Sequence, residues 1–127
     1  MSTPTTDTPA SLAILGPGRL GTALVTLARQ AGIATVVVGA RTPREGQLPL
    51  ADAAGSADLV LLTLSDDAIE SVCTALAQAD AFRPGAIVAH CSGAHGSELL
   101  AAAKAKGCSV ASFHPLQTFP SAEAAVE

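Results

Sequence analysis

The sequence predicts an α/β domain built on a doubly wound parallel sheet of about six strands, in the order 3-2-1-4-5-6, with helices on both faces. Its 127 residues, 49% of them hydrophobic, have the size of one domain with its own core. The three aromatic residues are all Phe, so the core consists of Ala, Val, Leu and Ile, which is typical of helices packed on a buried sheet. Short apolar runs alternate with segments of helical period, and right-handed crossovers between them make the sheet parallel.

The first two strands and the helix between them have clear signals. An apolar run ending in glycine predicts a strand over residues 11–16, and the β-branched run 34–39 predicts the second strand. Between them, residues 19–31 repeat apolar side chains at helical spacing, and Gly32 ends the helix. The predicted apolar positions of this helix are Leu20, Leu24, Leu27 and Ala31, with Ala23 and Ala28 beside them.

The third strand region is shortened. Pro43, Gly46, Pro49 and Gly55 are too many breakers for a full helix and strand. We expect a long connection, with a brief strand near residues 47–50 and a helical turn around residues 51–54.

The second half returns to regular alternation. Strands are predicted over residues 58–64, 85–91 and 108–113, with a helix over about 96–106. The helix after the fourth strand has Ile69, Val72, Leu76 and Ala79 on one face, and Asp66 and Asp67 are expected to cap its start.

The ends of the chain predict its domain organisation. We expect residues 1–10 to form a disordered tail and residues 11–120 the dinucleotide-binding domain. Residues 121–127 look like the start of a helix that is cut short. Either the protein stops at an unfinished element or, as we expect, these residues start a connection to a second, helical domain that is absent from this chain.

Composition excludes several classes of function. A net charge of −4 without a dense basic cluster argues against nucleic acid as a partner, and no apolar run approaches the ~20 residues needed to cross a membrane. Three cysteines at long spacings indicate neither disulfides nor zinc, and no signal sequence precedes the domain, so we expect a cytoplasmic location. The histidines have no acidic or cysteine companions at ligand spacing, and we predict no metal site.

The turn after the first strand carries the pattern G-x-G-x-x-G over residues 16–21. Between an apolar strand and an amphipathic helix, this pattern predicts a site for the pyrophosphate of a dinucleotide at the helix N-terminus. Pro17 has no amide proton, so the anion depends on the amides that follow it. The alternative is a tight turn without a ligand. The residues predicted to bind the cofactor here are Gly16, Gly18, Arg19, Leu20 and Gly21.

The end of the second strand predicts which dinucleotide binds. An acidic residue that would contact the 2′-hydroxyl of NAD is missing, and Arg41 and Thr42 stand in its place. A guanidinium and a hydroxyl suit a 2′-phosphate, so the predicted cofactor is NADP. Alternatively, Arg41 is a solvated cation or pairs with Glu45.

Polar residues follow three other strands, where ligands bind in an open parallel sheet. Ser65 is predicted to contact the ribose or the pyrophosphate, and Ser92 the carboxamide or the substrate. His90 belongs to its strand and is interpreted as structural, and Cys91 has no evident oxyanion hole for a nucleophile.

Two histidines on loops are candidates for contacts with the substrate. His95 lies in the loop after the fifth strand. His114 follows the sixth strand, where it serves either as a proton donor or hydroxyl ligand or as a tie to a neighbouring carbonyl.

Five segments together resemble one family. They are G-P-G-R-L-G (16–21), V-G-A-R-T-P (38–43), L-L-T-L-S-D-D-A-I (61–69), H-C-S-G-A-H-G-S-E-L-L (90–100) and S-F-H-P-L-Q-T-F-P (112–120). The chain resembles the Rossmann-like oxidoreductases of the 6-phosphogluconate dehydrogenase and pyrroline-5-carboxylate reductase type, whose C-terminal half is a domain of unknown function. The resemblance implies an NADP-dependent enzyme acting on a small molecule, whose second domain closes the active site and forms a dimer.

The His114-Pro115 pair also resembles prephenate dehydrogenases. That resemblance implies that His114 contacts a substrate hydroxyl and that Ser92 assists it. The following Leu-Gln-Thr-Phe departs from the small, glycine-containing turn of those enzymes.

Three functions therefore compete. The first is the NADP(H)-binding half of an oxidoreductase that transfers a hydride to or from a small carbonyl, imine or hydroxy-acid substrate. The second is a non-catalytic nucleotide sensor or interaction module with the same fold. The third is a prephenate-type dehydrogenase.

Overall fold

In the computed structural model, which describes residues 10–92 and 95–112, the apolar runs form six short strands. The strands are β1 (Ser11–Leu15), β2 (Thr35–Ala40), β3 (Leu48–Pro49), β4 (Leu59–Leu62), β5 (Ile87–His90) and β6 (Ser109–Ser112). All neighbouring pairs are parallel, in the order β3-β2-β1-β4-β5-β6. This confirms the predicted sheet, including the shortened third strand.

Helices connect most of these strands. They are α1 (Arg19–Gln30), α2 (Leu50–Ala54), α3 (Asp66–Gln78) and α4 (Ala101–Ala105), the last preceded by a 3₁₀ turn over Ser97–Leu100. Among the described residues, no helix has both the length and the apolar character needed to cross a membrane.

Alternate residues of β1 pack on opposite faces of the sheet, because successive side chains of a strand point in opposite directions. Ala13 and Leu15 join the larger core with α2, α3 and α4. Leu12 and Ile14 pack with Leu24 and Ala28 of α1 in a smaller second core. Helices therefore cover the central strand on both faces, as predicted.

The predicted helix over residues 96–106 is not one continuous helix. It begins as a 3₁₀ turn and becomes α-helical only at Ala101. Leu100 lies at the junction with φ −107° and ψ 20°, and its side chain is fully buried. The helix changes from 3₁₀ to α at the residue whose side chain packs into the core. The local sequence pattern does not show which residue makes that core contact.

Two predictions about α3 and its start need correction. Ala79 is exposed, because it is the residue at which the helix ends, and Cys73 is buried on the core face. The N-cap is Ser65, and no side chain caps the helix; Asp66 and Asp67 lie in its first turn. Their carboxylates still favour the positive end of the helix dipole.

Candidate functional site

The glycine turn joins β1 to α1 with almost no space between them. Gly16 has φ +115°, a conformation that residues with a side chain rarely adopt. A Cβ on Gly21 would lie 2.1 Å from the carbonyl oxygen of Gly16, which is far inside van der Waals contact. Helix and strand can meet this closely only because position 21 has no side chain.

Gly18 differs from the other two glycines. A Cβ at this position would meet nothing within 4 Å, so no contact within the described part of the protein requires glycine here. Gly18 is the N-cap of α1, no side chain caps that end, and no acidic residue lies in the first turn. The start of α1 is therefore uncapped, with open space beside Gly18, and the positive end of its dipole suits an anion. The side chain of Arg19 is exposed at the same end.

Thr63, directly after β4, holds the glycine turn in place. Its hydroxyl donates to the Gly16 carbonyl oxygen at 2.7 Å and lies 3.1 Å from the Leu15 carbonyl oxygen. Its backbone amide donates to the same Leu15 oxygen at 2.9 Å. The sequence reasoning assigned no role to Thr63. Its only signal was a hydroxyl at the end of a strand that neighbours the glycine turn.

A cleft of about 310 Å³ opens beside the turn. It brings together four predicted cofactor residues from three separate segments, namely Gly16, Arg41, Thr42 and Ser65. Its remaining walls are Pro17, Ala40, Leu64 and Ala68. The volume is at the small end of the range for ligand sites.

Arg41 is the cation of this cleft. It is exposed and, within the described ranges, forms no ion pair with Glu45, the partner that the sequence suggested as an alternative. The guanidinium therefore remains available to a ligand. Of the residues predicted in the glycine turn, only Gly16 lines the cleft; Gly18, Arg19, Leu20 and Gly21 do not.

The end of β5 contains a buried histidine. His90 is fully buried, its Nδ1 accepts the Ser92 backbone amide at 3.0 Å, and its Nε2 bonds to the Gly96 carbonyl oxygen. Ser92 is itself buried, with 3% of its surface exposed. The structural interpretation of His90 agrees with these contacts.

Cys91, next to Ser92, is poorly suited to nucleophilic chemistry. Burial raises the pKa of the Cys91 thiol to about 11, so the thiolate is scarce at neutral pH. His95 is half-exposed, and its Nδ1 lies 3.7 Å from a carboxylate oxygen of Glu98. His114 lies outside the described residues, as do Gly93 and Ala94. Within the described ranges, no three His, Cys, Asp or Glu residues are grouped as metal ligands would be.

Comparison with known proteins supports the fold. Residues 2–115 match the model of a family described as Rossmann-like domain. A search of curated protein sequences gave no match.

Solved structures share the fold. An imine reductase from Myxococcus stipitatus, a variant in complex with NAD+, is 22% identical with a TM-score of 0.62, and the match covers 83% of this chain and 39% of that one. D-2-hydroxyisocaproate dehydrogenase is 18% identical with a TM-score of 0.57, covering 77% and 32%. The TT0316 protein from Thermus thermophilus is 25% identical with a TM-score of 0.55, covering 87% and 40%. This chain thus spans two fifths or less of the length of these structures.

Proposed function

This chain belongs to the Rossmann-like domain family, and we propose that it is the NADP(H)-binding domain of an oxidoreductase. One observation carries the proposal: a single cleft joins the glycine turn before the uncapped start of α1 to the cation Arg41 at the end of β2. A dinucleotide needs these two features in this order, an anion site for its pyrophosphate and a recognition site for its adenosine ribose.

The pyrophosphate half of the proposal follows from the open space around Gly18. Backbone amides at the N-terminus of a twelve-residue helix can donate to phosphate oxygens there, and no protein side chain competes for them within the described ranges. Ser65, at the rim of the same cleft, has a hydroxyl that can donate to the pyrophosphate or a ribose.

The preference for NADP follows from the charge at the second strand end. Arg41 and Thr42 line the cleft, and no carboxylate is among the described residues that line it. A 2′-phosphate would gain a charge-assisted hydrogen bond from the guanidinium, whereas NAD offers only a hydroxyl.

When bound, the cofactor supplies a hydride. The reduced cofactor would give that hydride to a small carbonyl or imine, whereas oxidation of a hydroxy acid would need the oxidised cofactor to accept a hydride. Ser92 and His114 are the residues that we propose to contact the substrate. The neighbours named imine reductase and D-2-hydroxyisocaproate dehydrogenase support this choice of chemistry.

We further propose that a second, helical domain completes the pocket and forms a homodimer, and that the enzyme is cytoplasmic.

Fluorescence titration of NADPH and NADH into the purified protein tests the proposal. We expect saturable binding of NADPH, with at least tenfold weaker binding of NADH, since loss of one charge-assisted bond costs about 1.5–3 kcal/mol. Equal affinities would refute the preference for NADP. No binding of either cofactor would refute the proposed function as a whole.

One observation favours a second candidate, a nucleotide sensor without catalysis. The polar side chains that line the cleft in the described part of the chain are Arg41, Thr42 and Ser65, and none of them transfers protons readily near neutral pH. A screen of keto acids, imines and hydroxy acids, prephenate included, with NADPH or NADP and the full-length protein separates the two. Turnover of any substrate excludes the sensor, and cofactor binding without turnover supports it.

A further inference from the structure

The buried imidazole ring of His90 forms hydrogen bonds with the backbone at two separate positions of the chain. Its imidazole is the last side chain of β5 and has no exposed surface. The ring reaches Ser92, two residues ahead, through Nδ1, and Gly96, six residues ahead, through Nε2. Gly96 is also the N-cap of the 3₁₀ turn that leads into α4.

These contacts assign one acceptor and one donor to the two ring nitrogens. The backbone amide of Ser92 can only donate, so Nδ1 must be the unprotonated, accepting nitrogen. The carbonyl oxygen of Gly96 can only accept, so Nε2 must carry the proton. Both contacts are satisfied together when Nδ1 accepts and Nε2 donates.

The sheet register places this ring at the same edge of the sheet as the proposed cofactor site. Leu15, Leu62 and His90 occupy matched positions on the neighbouring strands β1, β4 and β5. The glycine turn follows the first of them, and Ser92 follows the last. Both segments thus leave the same carboxyl edge of the sheet, two strands apart, where a doubly wound sheet binds its ligand.

We propose that His90 is a positioning residue for the nicotinamide half of the dinucleotide. It holds the backbone of Ser92 and Gly96 in place, and this backbone forms the wall against which the nicotinamide ring lies. This inference rests on the proposed function, because it needs a dinucleotide whose pyrophosphate lies at the start of α1.

Two variants separate positioning from folding. His90→Gln keeps one neutral acceptor and one neutral donor, whereas His90→Leu removes both. Three ligands report on different parts of the site: NADPH, adenosine 2′,5′-bisphosphate for the adenosine half, and reduced nicotinamide mononucleotide for the other half.

For His90→Leu we expect the affinity for adenosine 2′,5′-bisphosphate to stay within about twofold of the wild type, while that for reduced nicotinamide mononucleotide falls about tenfold, the scale of one lost hydrogen bond. The change in nicotinamide fluorescence when NADPH binds should also be lost. His90→Gln should restore much of both signals. Unchanged nicotinamide affinity in a folded His90→Leu protein overturns the inference.

The wild-type protein supplies a measurement that does not depend on a variant. In NMR spectra, reduced nicotinamide mononucleotide should shift the backbone amide signal of Ser92 and the ring nitrogens of His90, and adenosine 2′,5′-bisphosphate should leave them unchanged. If the adenosine ligand binds but these signals do not respond to the nicotinamide ligand, the inference about His90 fails alone. If neither ligand binds, both the proposed function and the inference about His90 are refuted.

Discussion

The ammonium group of Lys106 lies 2.8 Å from the carboxylate of Asp80, and this ion pair joins the ends of α3 and α4. Both helices end in a left-handed residue, Asp80 with φ +53° after α3 and Gly107 with φ +93° after α4. After α3, the amide of Ala81 donates to the Leu76 carbonyl at 2.9 Å, as in a Schellman motif. Asp80 thus occupies a position where glycine is usual.

Substitutions of Asp80 should separate two contributions to the unfolding free energy, that of its left-handed backbone conformation and that of its ion pair with Lys106. Ala and Gly both remove the ion pair, but only Ala is strained at positive φ, so Asp80→Ala should be about 1 kcal/mol less stable than Asp80→Gly. Asp80→Asn tolerates the conformation and should lie within about 1 kcal/mol of the wild type, because exposed ion pairs contribute little. Urea unfolding measures all three, and equal stability of the Ala and Gly variants would contradict this assignment.

Alanine substitutions at Gly21 and Gly18 should affect different properties. At Gly21 the new methyl group would collide with the Gly16 carbonyl, and we expect a loss of about 1–3 kcal/mol in unfolding free energy. At Gly18 the methyl group enters open space, so stability should change by less than about 0.5 kcal/mol while NADPH affinity falls. Denaturant unfolding and NADPH titration of each variant check the contrast, and a strongly destabilised Gly18→Ala protein would contradict it.

Removal of the Thr63 hydroxyl should loosen the glycine turn. Thr63→Val keeps the shape of the side chain but leaves the Gly16 carbonyl without this donor, so the unfolding free energy should fall by about 1–3 kcal/mol. Thr63→Ser keeps the hydroxyl and serves as the matched control. A Val variant as stable as the Ser variant would mean that the 2.7 Å contact contributes nothing.

Neutralising Arg41 should abolish the distinction between the two cofactors. In Arg41→Gln we expect NADPH affinity to fall about 10- to 100-fold, as for a lost hydrogen bond to a charged group, with NADH affinity nearly constant. Arg29→Gln removes an equal charge from the last turn of α1 and should leave both affinities unchanged. If both variants weakened NADPH equally, net charge rather than Arg41 would explain the binding.

Cys91 should react slowly with alkylating reagents at neutral pH. Since burial raises the pKa of its thiol from 9.0 to about 11, its thiolate fraction at pH 8 is about 100-fold below that of an unperturbed cysteine. The raised pKa also means that the folded state binds the proton more tightly than the unfolded state. The stability it contributes is complete below about pH 9 and is lost as the pH rises towards about 11. Labelling with iodoacetamide, with the modified cysteine located by peptide mass spectrometry, measures the alkylation rate of Cys91. Rapid alkylation of Cys91 at pH 8 would contradict the raised pKa.

The sequence predicted the sheet well because its signals are local. Most strands carry an apolar run, and the favoured right hand of the crossovers predicts a parallel sheet; the strand order followed from the doubly wound layout that this alternation indicates. The breakers between Arg41 and Asp58 correctly indicated a shortened third strand. The predictions were wrong where local structure depends on packing in the core. The 3₁₀ turn before Leu100 and the exposure of Ala79 are the two examples.

The candidate site was predictable only in part. The glycine spacing and the Arg41-Thr42 pair are visible in the sequence, and the structure brings Gly16, Arg41, Thr42 and Ser65 to one cleft. The roles of Thr63 and His90 depend on backbone atoms that come near them only after folding. Hydrogen bonds to backbone carbonyls and amides leave no pattern of residue types to detect.

The two-residue strand β3 is the edge strand on one side of the sheet. Pro49 cannot donate to a further strand, and two residues provide too short a ladder for stable pairing. A foreign chain therefore finds almost no template along this side, and the protein is protected there from edge-to-edge aggregation.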